Sequence, residues 1–226
     1  MIVTSILLAF GIQAWWEGAG KRDQERRYLQ SLRGEFLEAQ SMVQANERDR
    51  TLAVHAHEAL LDQTQGASPA PPDSLLFWIS LTSFPINFTP PRAVYDDLVS
   101  SGSTQLIRSD PLRVALARYG TRLESLQAFD ADAWATWEQR LQPFLEGRIP
   151  RVDRILHGLF SQRYDVPFVA SGSTADLVGL LAEPRFQDMV AERWLRLFTA
   201  RVRFADVSDE LNGTIALIDA ELDEVQ

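Results

Sequence analysis

The sequence predicts an all-α protein in which an N-terminal transmembrane helix continues into an antiparallel helical bundle with long first and last helices. Three observations predict it. The opening run, MIVTSILLAFGIQAWW, carries no charge, and its only polar side chains are Thr4, Ser5 and Gln13. Apolar residues recur at three-four spacing from Arg26 to Gln63 and again from Pro184 to about Asp223. No alternating apolar and polar stretch is long enough to argue for a sheet, Thr104 to Ile107 being the one candidate strand.

The first element follows from length. Ile2 to Gly20 as a helix covers about 28 Å at 1.5 Å per residue, close to the ~30 Å hydrocarbon core. Trp15 and Trp16 stand where an interfacial aromatic belt lies, and charges begin at Glu17, Lys21 and Arg22. Residues 1–20 therefore read as a transmembrane anchor and residues 21–226 as an α-helical soluble domain. Two other readings compete. A cleaved signal peptide lacks its basic leader here, and its small-residue option, Gly18-Ala19-Gly20, follows two tryptophans and a glutamate. A buried or interfacial helix is the third. The missing basic leader suggests that Met1 is an internal start. Counted as printed, Lys21, Arg22, Arg26 and Arg27 place the domain in the cytoplasm, and a basic extension upstream would reverse that orientation.

The next elements are read from spacing and breakers. Leu29, Leu32, Phe36, Ala39, Val43, Ala53 and Leu60 hold one unbroken seam whose polar members are Asn46, Arg50 and His57. Gln65 to Asp73 is a proline- and glycine-containing break. A short apolar helix spans Ser74 to Ser83, and Phe84 to Pro91 is extended because residues before proline avoid helical angles. Arg92 to Ser101 is a short helix closed by Gly102. Asp110 suits an N-cap with Pro111 at the first helical position. Leu112, Leu116, Tyr119, Leu123 and Leu126 continue that helix, and Trp134, Trp137, Leu141 and Phe144 extend its apolar face past a bend near Pro143. Arg148 to Tyr164 reads as one further helix, and Ser173 or Thr174 caps Ala175 to Ala182. The last helix carries Val190, Trp194, Leu197, Phe204, Leu211, Ile215, Ile218, Leu222 and Val225 on one seam, with Arg201 and Ser208 as polar members. It should pack antiparallel to the first long helix.

Composition excludes whole classes of function. At 226 residues, 46% hydrophobic and 23% charged, the chain folds on a real core. It has no cysteine, hence no disulfide, thiolate metal site or cysteine nucleophile. A net charge of −9 and a pI near 4.9 do not suit a nucleic-acid backbone, so no nucleic acid is expected as a partner.

The stretch Ile6 to Phe36, ILLAFGIQAWWEGAGKRDQERRYLQSLRGEF, resembles the opening of a family of uncharacterised bacterial single-pass membrane proteins, a domain-of-unknown-function family. The shared pattern falls on Trp15, Trp16, Glu17, Arg26, Arg27, Tyr28, Leu29, Leu32 and Glu35. A second block, Ala93 to Glu124, is similar at Tyr95, Leu98, Ser101, Gly102, Leu106, Ile107, Leu112, Arg113, Leu116 and Tyr119. A third, Glu183 to Phe198, looks like that family's closing helix. The resemblance implies a transmembrane helix followed by an all-helical domain in a bacterial inner membrane. It carries over no catalytic residue. Members have a basic segment before the membrane helix, which this chain lacks. That departure supports an internal start and favours a periplasmic over a cytoplasmic domain.

The chemistry-bearing residues are sparse. His55, His57 and Glu58 form an HxHE string, but residues two apart on a helix point about 200° apart and cannot share an ion. Ser100 to Ser103 matches no phosphate or nucleophile motif and suits a helix-ending turn. Adjacent Asp96 and Asp97 diverge on a helix, and Asp96 faces Arg92. His157 has no nucleophile pattern near it. No catalytic, cofactor or metal residue is expected. Phe77, Trp78, Phe84 and Phe88 crowd a proline-rich stretch and read either as core or as an exposed docking surface. Asp206 to Gln226 holds seven acidic and no basic residues, a solvated face that also repels anionic headgroups. The expected function is a non-enzymatic membrane-anchored interaction module, an accessory subunit whose partners are the bilayer and a protein of a larger complex. The alternative is a periplasmic ligand-sensing bundle signalling through a partner, which a pocket of convergent polar groups would favour. An enzyme of unknown class is third.

Overall fold

The computed structural model describes the backbone of residues 2–172 and 175–224, with the side chains of Trp16, of residues 20–172 and of residues 175–223. Among these the regular structure is entirely helical, with no strand. The helices are α1 (Ile2–Thr64), α2 (Pro72–Leu81), α3 (Ala93–Ser100), α4 (Asp110–Thr136), α5 (Gln142–Leu145), α6 (Arg151–Leu156), α7 (Leu159–Arg163), α8 (Leu177–Ala182) and α9 (Pro184–Glu224). A 3-10 turn spans Ser103–Leu106, and a π-helical turn, Trp137–Leu141, joins α4 to α5. No helix among the described residues is long and apolar enough to cross a membrane. The side chains of residues 1–15 and 17–19, which carry the expected anchor and Trp15, lie outside the described ones, and so do Ser173 and Thr174.

The chain divides into two compact units. The first comprises Met1–Val43, Thr89–Arg122 and Asp206–Gln226. Its core is built where the seam of α1 (Leu29, Leu32, Phe36, Ala39) is buried together with Leu112, Leu116 and Tyr119 of α4 and Leu211, Ile215 and Ile218 of α9. Gln40 donates to Asn212 at 2.7 Å and Arg33 pairs with Asp219, so α1 and α9 run antiparallel here. The Phe36 and Tyr119 rings lie 4.7 Å apart, and Tyr95 meets Tyr119 edge-on at 5.9 Å. Two buried carboxylates of α1 hold the first turn of α3 and the approach to α4. Glu35 accepts the backbone N–H groups of Val94 and Tyr95 at 2.7 and 3.0 Å, which satisfies the open first turn of α3. Glu25 accepts the N–H of Arg108 and its guanidinium, both at 2.7 Å.

The second unit comprises Gln44–Phe88 and Leu123–Ala205. Leu60 of α1, Leu75 and Ile79 of α2, Phe144 and Leu145 of α5, Leu177, Leu180 and Leu181 of α8, and Phe186 and Val190 of α9 form its main core. Glu47 accepts from Arg201 and Glu58 from Trp194, both at 3.2 Å, so α1 and α9 are antiparallel here as well. Arg50 donates to both oxygens of Asp130 at 2.7 Å, and its guanidinium lies 4.8 Å from the Phe204 ring centre.

Several boundaries differ from those expected. The run Arg148 to Tyr164 is two short helices, α6 and α7. Pro150 delays the start to Arg151, and Gly158 interrupts it, its backbone extended at φ −92° and ψ 176°. A Cβ at Gly158 would stand 3.1 Å from both the Arg154 carbonyl and the Ser80 hydroxyl, so a larger residue would crowd this corner. Thr104 to Ile107 is not a strand but largely the 3-10 turn, entered through Gly102 at φ 71°. α4 starts one residue early. Arg113 bonds back to the Ser109 carbonyl, and Asp110, inside the first turn, pairs with Arg113. The bend near Pro143 is the π turn before it, where the Gln142 N–H donates to the Trp137 carbonyl five residues back. α8 is capped by Asp176, which accepts the N–H of Gly179 at 2.8 Å.

Candidate ligand pocket

A cavity of about 790 Å³ opens in the second unit, within the size range of small-molecule sites. The corner at Gly158 brings α6 and α7 against the end of α2, and the π turn swings Trp137 and Glu138 to the same space. Aromatic side chains dominate the lining. Trp134 and Trp137 stack with ring centres 4.7 Å apart. The rings of Phe160 in α7 and Tyr164 just after it lie 4.8 Å from each other. Phe84 and Phe168 complete the apolar wall.

The polar lining is mainly cationic: Arg151, Arg154 and Arg163 against Glu138. The three arginines are not equivalent. Arg163 reaches Asp49 at 2.6 Å and lies over the Phe84 ring, while Arg151 is exposed. Arg154 is 5% exposed, and among the described residues no carboxylate lies within ion-pair distance of it. Its Nε is buried without a hydrogen-bond partner, as is the indole N–H of Trp137, itself 5% exposed. The adjacent carboxylate, Asp153, is turned elsewhere. It accepts the Ser171 hydroxyl at 2.6 Å and the Ser171 N–H at 2.8 Å, and these bonds hold its carboxyl below the usual range. Burial, then the charge of Arg151, lowers the pKa of Arg154, while Glu146 favours its cation.

A second buried polar group lies outside this lining. His57 is fully buried. Its Nδ1 donates to the Ala53 carbonyl at 2.7 Å, and its Nε2 has no partner. Burial first, and then the charge of Arg193, push its pKa down to about 3. Arg193 is 1% exposed, donates to the Ala133 carbonyl just before the π turn, and is lowered to about 9 by burial.

The residues singled out in the sequence are dispersed. Phe88 is fully buried edge-to-face on Phe204 at 5.1 Å, which takes it out of any docking surface. Phe77, Trp78 and Phe84 are half-buried against Ala56, Leu81 and Leu159. Trp16 is exposed. His55 is exposed whereas His57 is buried, and Glu58 faces Trp194. Among the described residues no group of three or more histidine and acidic side chains could hold a metal ion. Asp96 pairs with Arg92 at 2.8 Å, and Asp97 accepts from Tyr28 at 3.1 Å. His157 stands 3.6 Å from Asp73.

Sequence reasoning missed Arg151, Arg154 and the π turn. The available signal was the arginines of RVDRIL, three residues apart in a stretch otherwise read as a uniform helix. Their convergence with Trp134 and Trp137 on one cavity is a tertiary arrangement that spacing along a single helix does not carry. No family model matches the chain, and neither a curated protein nor a solved structure matches it.

Proposed function

We propose that this protein is a non-enzymatic, membrane-anchored helical receptor that binds a small ligand in the second unit. The observation that carries the reading is Arg154: a nearly buried guanidinium without a carboxylate, lining a mostly aromatic cavity. Burying a charge without a partner is costly, and a ligand anion in the cavity offsets that cost. The anchor rests on the uncharged run of residues 1–16 and on Trp15 and Trp16, which suit a lipid interface. The proposed location is a bacterial inner membrane with the helical domain on the periplasmic side. Occupancy of the pocket then passes to a partner protein. The test is to purify the intact chain in mild detergent and identify small molecules released on denaturation by mass spectrometry. A stoichiometric compound is expected, absent from a Trp137→Ala variant of normal helicity. A chain that releases nothing, or the same compound from both proteins, refutes the reading.

A second reading, the accessory subunit of a membrane complex, is favoured by one feature. Leu195, Phe198 and Val202 form an exposed apolar stripe on α9 at helical spacing. A photo-crosslinker at position 198 in intact membranes should then capture one defined protein, and capture of nothing above background argues against this role.

A further inference from the structure

We infer that the ligand is a one- or two-ring aromatic monocarboxylate, its carboxylate on Arg154 and its ring among Trp134, Trp137 and Tyr164. The inference rests on the pocket reading above and goes on to the chemistry of the occupant.

Charge fixes the valence. Arg163 is already committed to Asp49 at 2.6 Å, and Arg151 and Glu138 both stand exposed, where water screens them. One buried cation remains without an ion-pair partner, and one negative charge matches it. A phosphate dianion would bring a second charge and further oxygens that need donors. The buried donors facing no acceptor here are few: the Arg154 Nε and the Trp137 indole N–H. A planar carboxylate fits a guanidinium fork with two parallel bonds, and its geometry leaves no oxygen over.

The lining fixes the body. The stacked pair Trp134 and Trp137 and the tilted pair Phe160 and Tyr164 present ring faces and edges to the same space. Flat rings gain from offset or edge-on packing against such walls beyond the area they bury, and an alkyl chain does not. The cavity volume of about 790 Å³ accommodates a fused two-ring body with room for water at its mouth. Arg154 itself is held close by the Gly158 corner, where its carbonyl would meet any added Cβ at 3.1 Å.

The test titrates the intact chain in detergent with 1-naphthoate, 1-naphthamide, decanoate and inorganic phosphate, read by calorimetry and by tryptophan fluorescence. Naphthoate is expected to bind and to quench fluorescence. Naphthamide, the same shape without the charge, should bind at least about tenfold more weakly, as loss of a charge-assisted pair requires. Decanoate and phosphate should also be weaker by that margin. Arg154→Met should bring naphthoate down to the naphthamide level. The naphthamide comparison uses the unaltered protein, so the inference stays testable if Arg154→Met does not fold. Equal binding of naphthoate and naphthamide overturns the inference. So does binding of decanoate or phosphate with naphthoate silent, an outcome that leaves the pocket reading standing. If none of the four binds and purification also yields no bound compound, both fall.

Discussion

Arg50 is 2% exposed and meets both oxygens of Asp130 at 2.7 Å, an ion pair sealed inside the second unit. Such a pair does more harm broken than absent. Arg50→Met strands a buried carboxylate and should cost about 3–5 kcal/mol in urea denaturation, while Arg50→Met with Asp130→Leu should recover most of it. His57 gives a pH signature. Its folded pKa of about 3 lies below the ordinary 6.5, so below pH 6.5 the unfolded chain takes up a proton that the folded chain refuses. Its contribution is therefore complete above pH 6.5 and falls as pH drops toward 3, by up to about 1.4 kcal/mol per pH unit. Denaturation midpoints at pH 7, 6 and 5 should fall more steeply for the native chain than for His57→Leu; parallel slopes would contradict the buried neutral imidazole. Arg50 and His57 were legible as polar members of an apolar seam. Asp130, eighty residues away, was not, because spacing along one helix carries no information about the partner facing it.

The helices show the same division. Periodicity located the long α1 and α9, and their antiparallel contacts follow in each unit. The ends were less legible, since a cap depends on a single hydrogen bond: Ser109 and Asp176, not Asp110 and either Ser173 or Thr174, stand before α4 and α8. The π turn left no trace in the pattern because one extra residue shifts the apolar face without breaking it. Gly120 lies within α4, a position periodicity treats as interchangeable with alanine. Yet a Cβ there would fall 1.9 Å from the Tyr95 hydroxyl. Gly120→Ala, which raises helix propensity, should instead destabilise by about 1–3 kcal/mol. Tyr95→Phe in the same background should return part of the loss, measured by thermal unfolding. A neutral or stabilising Gly120→Ala would mean that α3 and α4 pack less closely.

For the molecule as a whole, charge separates the pocket from its surroundings. The chain carries −9, yet the cavity lining holds three arginines against one glutamate. The anchor proposal predicts that the native chain stays with membranes through high salt and alkaline carbonate and leaves in detergent, whereas removal of residues 1–20 releases it to the supernatant. Release of the intact chain by salt alone would reduce the front segment to a peripheral contact. The all-helical character was readable because helical periodicity is local, while the pocket was not, because it is assembled from α2, α4, α6 and α7 around a glycine corner. The two α1 carboxylates, Glu25 and Glu35, bear on how any message leaves the first unit. Each grips backbone of the facing segment, at Arg108 and at Val94 with Tyr95. A piston stroke of α1 by one turn past that segment would detach both grips at once and leave two anions stranded. On the proposed receptor reading, transmission along α1 would proceed by rotation or tilt about these two pins, and cross-links placed to forbid sliding should leave it intact.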